Sequence, residues 1–409
     1  MANTIVTLSA GDVVRKALSI LHNELVFTKT INKQYDDRFA RSGAKNGGTL
    51  LIRDPNEFTI RTGQTMDTQD LLETTQTLTV ATQMGVDINF SSVELTLSLD
   101  DFAERILKPA MSRLAAEVDK TIINGCYPYV NNLVTGTLGT QPSLADVLSA
   151  RAKLAQGLAP TNDRVIMCDA LAANAIITSS GSYFHPSSEI TRQWENGLVG
   201  GVYGFKFYES EMTPTHTNGS RTDATPTVLL TAATTSIEDG TAVIVMTTNA
   251  TGTGYKAGDV FTVAGLYAVN PETKATLSHL AQWTVTATTS ALAAATDIPV
   301  YPIPYLSGPK QNAVVSTSSA TAAVTNLSFG SAGVAYRQSM AYHRDAFTMV
   351  TADLEMPKGV DFAAREVYDG ISLRVVRQYD VVNDKFPCRL DVLFGYKCIR
   401  PGWACRLNA

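Results

Sequence analysis

Charge is what this 409-residue sequence has least of: Asp, Glu, Lys and Arg make up 17% of it, where a globular chain usually carries about a quarter. So lightly charged a surface is tolerable where partners cover much of it. The formal net charge is -5, which removes the cationic surplus that non-specific phosphate binding needs. That excludes a general nucleic-acid binder and leaves room only for local basic patches. No eighteen apolar residues run together, so no membrane-spanning helix is expected. The opening MANTIVTLSAGDVV has neither the basic start nor the apolar centre of a secretory signal, so none is expected. Cysteines number five, with no C-x-x-C pair and no histidine near Cys388, Cys398 and Cys405. The pattern argues against zinc and for reduced, packed thiols made in a cytoplasm. The five histidines, His22, His185, His216, His279 and His343, each stand alone, and there is no G-x-S-x-G elbow, Walker loop or H-E-x-x-H. The carboxylate pairs Asp36-Asp37 and Asp100-Asp101 are adjacent residues, which do not face each other on a helix. No catalytic residue, cofactor or metal is expected.

One stretch invites an enzymatic reading all the same. His343-Arg344-Asp345, followed by Asp361-Phe362-Ala363, is like the HRD loop and metal-binding DFG of a protein kinase. The chemistry needs an Asn five residues after the HRD aspartate to hold a second magnesium; Val350 stands there, and Ala363 replaces the glycine. Gly200-Gly201-Val202-Tyr203-Gly204 is glycine-rich, but Lys206 follows it at once instead of one strand later. Ala346 to Val350 reads better as a buried strand with His343 to Asp345 as its polar lead-in.

At 409 residues and 44% hydrophobic composition, the chain can build two or three cores, or one core with an inserted module. Val14, Ala17, Leu18, Leu21 and Leu25 recur at helical spacing after Gly11, an amphipathic helix that needs a surface to lie on. From Gly47 to about Phe90 the character is strand: Leu50 to Ile52 form a run, Phe58 and Ile60 alternate with Thr59 and Arg61, and Leu78 and Val80 alternate with threonines. An isolated hairpin is marginal in water, so this one implies outside support. SLDDFAERILKPAMSRLAAEVDKTIINGC, from Ser98, predicts the strongest helix, with Ser98 and Asp101 as its N-terminal box and Ala103, Leu107, Ala110, Leu114 and Val118 as its stripe. Pro109 predicts a kink or break there. A second helix is predicted with Ser143 as cap, Gly157 as stop and Pro160 beyond, then a buried strand from Asp163 to Cys168 and a helical ALAANAIITS.

Between about Pro214 and Tyr336 only ten side chains are charged: Arg221, Lys256, Lys274, Lys310, Asp223, Glu238, Asp239, Asp259, Glu272 and Asp297. TAVIVM, DVFTVAG and QWTVTAT sit there between glycine turns, which predicts a small all-β barrel or sandwich. Mixed character returns after Arg337, with Ile371, Leu373 and Val375 alternating with polar residues and RLDVLFGYKCIRP as a long strand. The β module therefore reads as inserted into an α+β host.

In this order of parts the sequence resembles the HK97-fold major capsid proteins of tailed phages, specifically the P22 coat protein family. KAGDVFTVAGL, Lys256 to Leu266, is similar to the K-x-G-D-x-[IF]-[ST]-x-A-G stretch of that family's insertion domain. FGYKCIRPGWACRL, with Gly395, Arg400, Pro401 and Ala404, is similar to the pattern that closes many HK97-fold chains, although Gly402 and Trp403 stand where Glu is common. The resemblance implies an HK97-like α+β fold: arm at 1–46, hairpin (E-loop) at 47–92, P-domain with spine helix at 93–200, A-domain and returning strands at 201–213 and 337–409, and inserted β domain at 214–336.

It also implies a non-enzymatic subunit that self-assembles, as pentamers and hexamers, into the icosahedral shell of a double-stranded DNA phage. Scaffolding protein and portal are the implied partners, with packaged DNA held weakly inside and no membrane. Location is the virion, after assembly in the host cytoplasm. Candidate intersubunit contacts are Arg53, Asp54, Phe58, Arg61, Asp67 and Asp70 in the hairpin, and candidate scaffold contacts are Asp12 and Glu24 on the amphipathic arm. A helix simply packed within the subunit is the plainer reading of that arm. The competing function is a phage tail or surface adhesin whose Thr-rich module binds a glycan.

Overall fold

A computed structural model describes residues 10–33, 49–91 apart from 59, 67 and 69–72, 108–136, 140–180, 201–219, 226–247 apart from 232, 233 and 236, 252–292 apart from 290, 296–316, 321–326, and 333–408 apart from 369. The chain divides into two compact units. The first comprises Met1–Ile52, Thr75–Ile123 and Phe347–Lys397. Its frame is a five-stranded sheet in the order Phe347–Ala352, Lys385–Cys398, Ile371–Arg377, Phe362–Tyr368, with Thr82–Ser91 also on Lys385–Cys398. The last pair runs antiparallel from Lys385 opposite Ser91 to Phe394 opposite Thr82. Gly395 follows, where an added Cβ would stand 2.3 Å from the Thr79 carbonyl oxygen; only glycine admits so close an approach.

Helix α1, Ala10–Glu24, lies against the strands Phe362–Tyr368 and Ile371–Arg377. Val14, Ala17, Leu18 and Leu21 are buried beneath it. Each fully buried Val or Leu contributes about 1.5–3 kcal/mol, enough to fix a helix that is marginal alone. The arm helix is thus packed within its own unit. One turn on, α2, Phe27–Thr30, buries Phe27, Thr28 and Thr30 and leads to Asn32, which bridges the sheet at Thr348. Helix α3 is described over Lys108–Cys126, so the Ser98 and Asp101 cap, Ala103 and Leu107 fall outside the described residues. Within it Met111, Leu114, Ala115, Val118 and Ile122 are buried, the i, i+3, i+4 stripe of a helix laid on a core. Pro109 is the second described residue of this helix, so the kink or break expected there lies at the edge of the described residues.

The second unit comprises Arg53–Thr74, Asn124–Ala346 and Cys398–Ala409. A seven-stranded mixed sheet runs Leu133–Thr135, Ala404–Asn408, Ala335–His343, Arg164–Cys168, Phe205–Glu209, Gly201–Val202, with Thr215–Thr217 paired to the start of Ala335–His343. Helix α4, Leu144–Gln156, carries the capping box, here Ser143 with Asp146, and ends at Gly157. Its Val147, Ala150 and Leu154 pack with Ile176 of α5, Ala170–Ser180, on Ile166, Phe205, Ala341 and Leu407. Every residue of Arg164–Cys168 is buried.

Between Thr227 and Asn326 an eight-stranded sheet forms around Phe261, Trp283, Ile244, Ile298 and Val300. Thr227 and Thr247 exchange both backbone hydrogen bonds, 2.9 and 2.8 Å, joining Thr227–Thr231, next to the short end strand Thr234–Thr235, to the residue after Val243–Met246 at the other end of the path. The sequence left barrel and sandwich open; this bridge closes a barrel. The hairpin differs from expectation. Its legs pair at Thr49–Arg53 and Thr75–Thr79, but the alternating Phe58 and Ile60 are not in a strand, because nothing in the described chain offers a partner edge or an apolar face there.

Candidate functional site

The hairpin beyond the paired legs is polar in backbone and apolar in display. Asp54 N donates to the Thr74 carbonyl at 3.0 Å, the last rung between the legs. Arg53 and Glu73 face each other at 3.8 Å, both exposed. Arg61 curls onto its own turn, donating to the carbonyls of Gly63 and Thr65. Phe58, Ile60 and Met66 stand 63%, 94% and 77% exposed. Apolar side chains held out on a loop are unfavourable unless something covers them. Of the sequence candidates, Arg53, Asp54, Phe58 and Arg61 therefore gather on this one projection, while Asp67 and Asp70 lie outside the described residues.

The arm candidates separate. Nothing is described of the Asp12 side chain; Glu24 is exposed and accepts from Ser112 Oγ at 3.4 Å. What fixes the arm is a residue the sequence reading did not single out, Asp119 of α3. Its carboxylate accepts from the backbone N–H groups of Val26, Phe27 and Thr28 at 2.7 to 3.0 Å and from the Thr28 hydroxyl. Burial pushes the Asp119 carboxyl up, against those four donors. An Asp on an otherwise apolar face was the available signal.

A second buried cluster joins the β barrel to the mixed sheet. The chain enters the barrel after Thr215–Thr217 and returns at Ala335, and those two segments pair, His216 opposite Tyr336. His216 Nε2 lies 2.8 Å from Asp259 Oδ1, both side chains fully buried. Asp259 also accepts from the backbone N–H of Lys256 at 2.9 Å and of Gly219 at 3.3 Å. At the other ring nitrogen of the imidazole, Tyr127 hydroxyl meets Nδ1 at 3.2 Å. Burial lowers the His216 pKa, and a neutral ring with its proton on Nε2 suits both partners: it donates to Asp259 and accepts from Tyr127. Arg406, buried and pulled down to about 10 by that burial, donates to the Gly258 carbonyl at 2.8 Å. The Gln282 side chain pairs with both backbone groups of Leu133, at 2.9 and 3.0 Å, as a strand residue would. Tyr, His and Asp in a line are the ingredients of proton transfer, but with His216 and Asp259 sealed from solvent their chemistry is adhesion between two layers.

The kinase-like residues take structural places. Arg344 to Ala346 form one 3-10 turn between buried strands, Asp345 N donates to His343 Nδ1 at 3.2 Å, and the His343 ring meets Trp403 edge-on at 5.2 Å. Asp361 is paired with Arg377 at 2.9 Å. All five cysteines are buried thiols, and burial drives Cys168 up to about 12 and Cys388 to about 11. Among the described residues no three His, Cys, Asp or Glu side chains are grouped to hold a metal, and no described helix is long and apolar enough to cross a membrane.

A model of the family described as P22 coat protein, gene protein 5, matches residues 3–405. The chain belongs to the P22 coat protein family. It is a major capsid protein, a virion component that assembles into a multimeric shell, and the coat reading prevails over the tail or adhesin reading. No curated protein matches it in sequence. Among solved structures it is similar to a chain of Mycobacterium phage Che8 at 12% identity, covering 94% of this chain and 90% of that one with a TM-score of 0.48. A capsid structure of Helicobacter pylori bacteriophage KHP30 is similar at 11% identity, with 94% and 91% covered and a TM-score of 0.45. In this coat protein the KAGDVFTVAGL motif has a physical content: its Asp259 is the carboxylate of the buried joint. Of the closing pattern, Pro401 and Ala404 are buried and Arg400 lies 4.3 Å over the Trp403 ring.

Proposed function

We infer that this coat protein builds its shell by laying the hairpin over a neighbouring copy, in an HK97-type division of labour. The observation that carries the reading is the display of Phe58, Ile60 and Met66 on a loop with no apolar cover among the described residues. A hairpin of this kind gains by contact what it lacks alone. An interface of about 1,600 Å², at roughly 25 cal/mol per Å² of its apolar share, gives tens of kcal/mol gross before the costs of association. Many such contacts close a stable particle.

The division assigned from sequence stands as our proposal: arm 1–46, hairpin 47–92, P-domain 93–200, A-domain and returning strands 201–213 and 337–409, and inserted domain 214–336. Assembly proceeds in the bacterial cytoplasm from pentamers and hexamers, guided by a scaffolding protein, around a portal. The net charge of -5 suits a wall that holds packaged double-stranded DNA weakly, so that the genome can enter and leave. The role is structural, without catalysis. Glu24 and Asp12 remain the candidate scaffold contacts. Electron microscopy of the chain expressed with its scaffold tests the whole: closed shells are expected, and monomers alone at high concentration would overturn it.

A further inference from the structure

The barrel is poor in charge, yet two of its four basic residues meet the hairpin. Of Arg221, Lys256, Lys274 and Lys310, Lys274 Nζ lies 3.4 Å from Glu57 Oε2 and Lys310 Nζ donates to Thr74 Oγ1 at 3.2 Å. Glu57 is on the outgoing leg and Thr74 on the returning one, so the two lysines hold both legs where Asp54 and Thr74 make their last backbone bond.

The backbone at Lys274 is arranged for this. Its φ is +55°, a left-handed conformation that glycine or asparagine adopts more readily than lysine. The turn enforces it: Asn270 Oδ1 accepts from Glu272 N at 2.9 Å and Thr273 N at 3.1 Å, and Lys274 N donates to the Asn270 carbonyl at 3.0 Å. A strained backbone kept for a lysine points to work done by its side chain. The loop that carries Lys310 is likewise fixed, with Asn312 Nδ2 donating to the Ile303 carbonyl at 2.7 Å and Gln311 Nε2 to the Leu306 carbonyl at 2.8 Å.

We propose that Lys274 and Lys310 are an electrostatic latch by which the inserted barrel holds the chain's own hairpin, residues 54–74, in place before assembly. The occupant is this segment because the distances above already seat it there. Holding the loop beforehand removes part of the ordering cost that its docking on a neighbour would otherwise carry. This consequence rests on the hairpin's role in the shell; the latch itself does not.

The test uses the full unassembled chain. Spin labels at Thr65→Cys and Glu272→Cys report the hairpin-to-barrel distance; all native cysteines are buried. A narrow distribution is expected, broadened by Lys274→Glu or by Glu57→Lys and narrowed again when the two are combined. Tryptic cleavage after Arg61 should quicken about two- to five-fold in each single variant, the size of an exposed ion pair, and return in the double. Lys274→Gln, with a thermal melt, guards against a misfolded turn. Raising salt should broaden the distribution in the natural chain and leave Lys274→Gln unchanged. Single variants with the natural distance width and cleavage rate, or a double variant that restores neither, would overturn the latch. Shell formation, scored separately, tests the hairpin's assembly role, so failure of one reading is distinguishable from failure of the other.

Discussion

His216 Nε2 and Asp259 Oδ1, 2.8 Å apart and wholly out of solvent, tie the turn before the barrel strand Val260–Val269 to Thr215–Thr217, after which the chain enters the barrel. Removing the carboxylate leaves the neutral His216 N–H and the Lys256 and Gly219 amides without that acceptor, at about 1–3 kcal/mol for each that stays buried. Asp259→Ala is therefore expected to lower unfolding stability by that amount. Urea denaturation of the unassembled chain followed by Trp283 fluorescence would read it, and a loss under about 1 kcal/mol would contradict the joint.

Acidification should weaken the same joint. Burial holds the folded-state pKa of His216 below its ordinary value of 6.5, so the unfolded chain takes up the proton first. Its contribution is present above about pH 6.5 and is lost as pH falls from there towards the lower folded value. Burial acts in the same direction on His279 and His343, so the telling measurement is the difference between natural chain and His216→Asn. The variant should show a flatter loss of melting temperature between about pH 7 and 5.

Asp119 clamps the arm by four hydrogen bonds. Asp119→Ala leaves three backbone N–H groups without their acceptor, at about 1–3 kcal/mol for each that stays buried. Hydrogen exchange at residues 26–32 should accelerate at least a hundredfold, or about 2.7 kcal/mol, while Asp119→Asn restores part of the protection.

Removing residues 56–72 should abolish shells seen by electron microscopy and leave the circular dichroism of the subunit close to native, because that stretch contributes no described strand or helix. Normal shells from the shortened chain would remove the hairpin from the assembly account.

Gly395→Ala would drive a methyl into the Thr79 carbonyl. Overpacking of this kind costs about 1–3 kcal/mol, and a melting temperature unchanged from the natural chain would refute the close approach.

Much of the frame was readable because periodicity reports burial. Val14, Ala17, Leu18 and Leu21 recur at helical spacing and are buried, and Ser143 with Gly157 marks both ends of α4. Phe58 and Ile60 misled because alternation records which side chains want cover, not whether the cover lies in the same chain. The joint escaped because its members, Tyr127, His216, Asp259 and Arg406, are far apart in sequence and each is unremarkable alone. Motif similarity touched Asp259 through KAGDVFTVAGL without saying what it grips. Val381 and Val382, 78% and 84% exposed at the turn between Ile371–Arg377 and Lys385–Cys398, also drew no attention, since two valines in a row carry no period.

The Thr227 to Thr247 bridge reaches beyond the single subunit. A shell multiplies every surface by its copy number, and an open rim of unpaired amides repeated around a particle would recruit stray strands and glue virions to one another. Zipping the rim shut lets the module be carried in bulk while the particles stay dispersed.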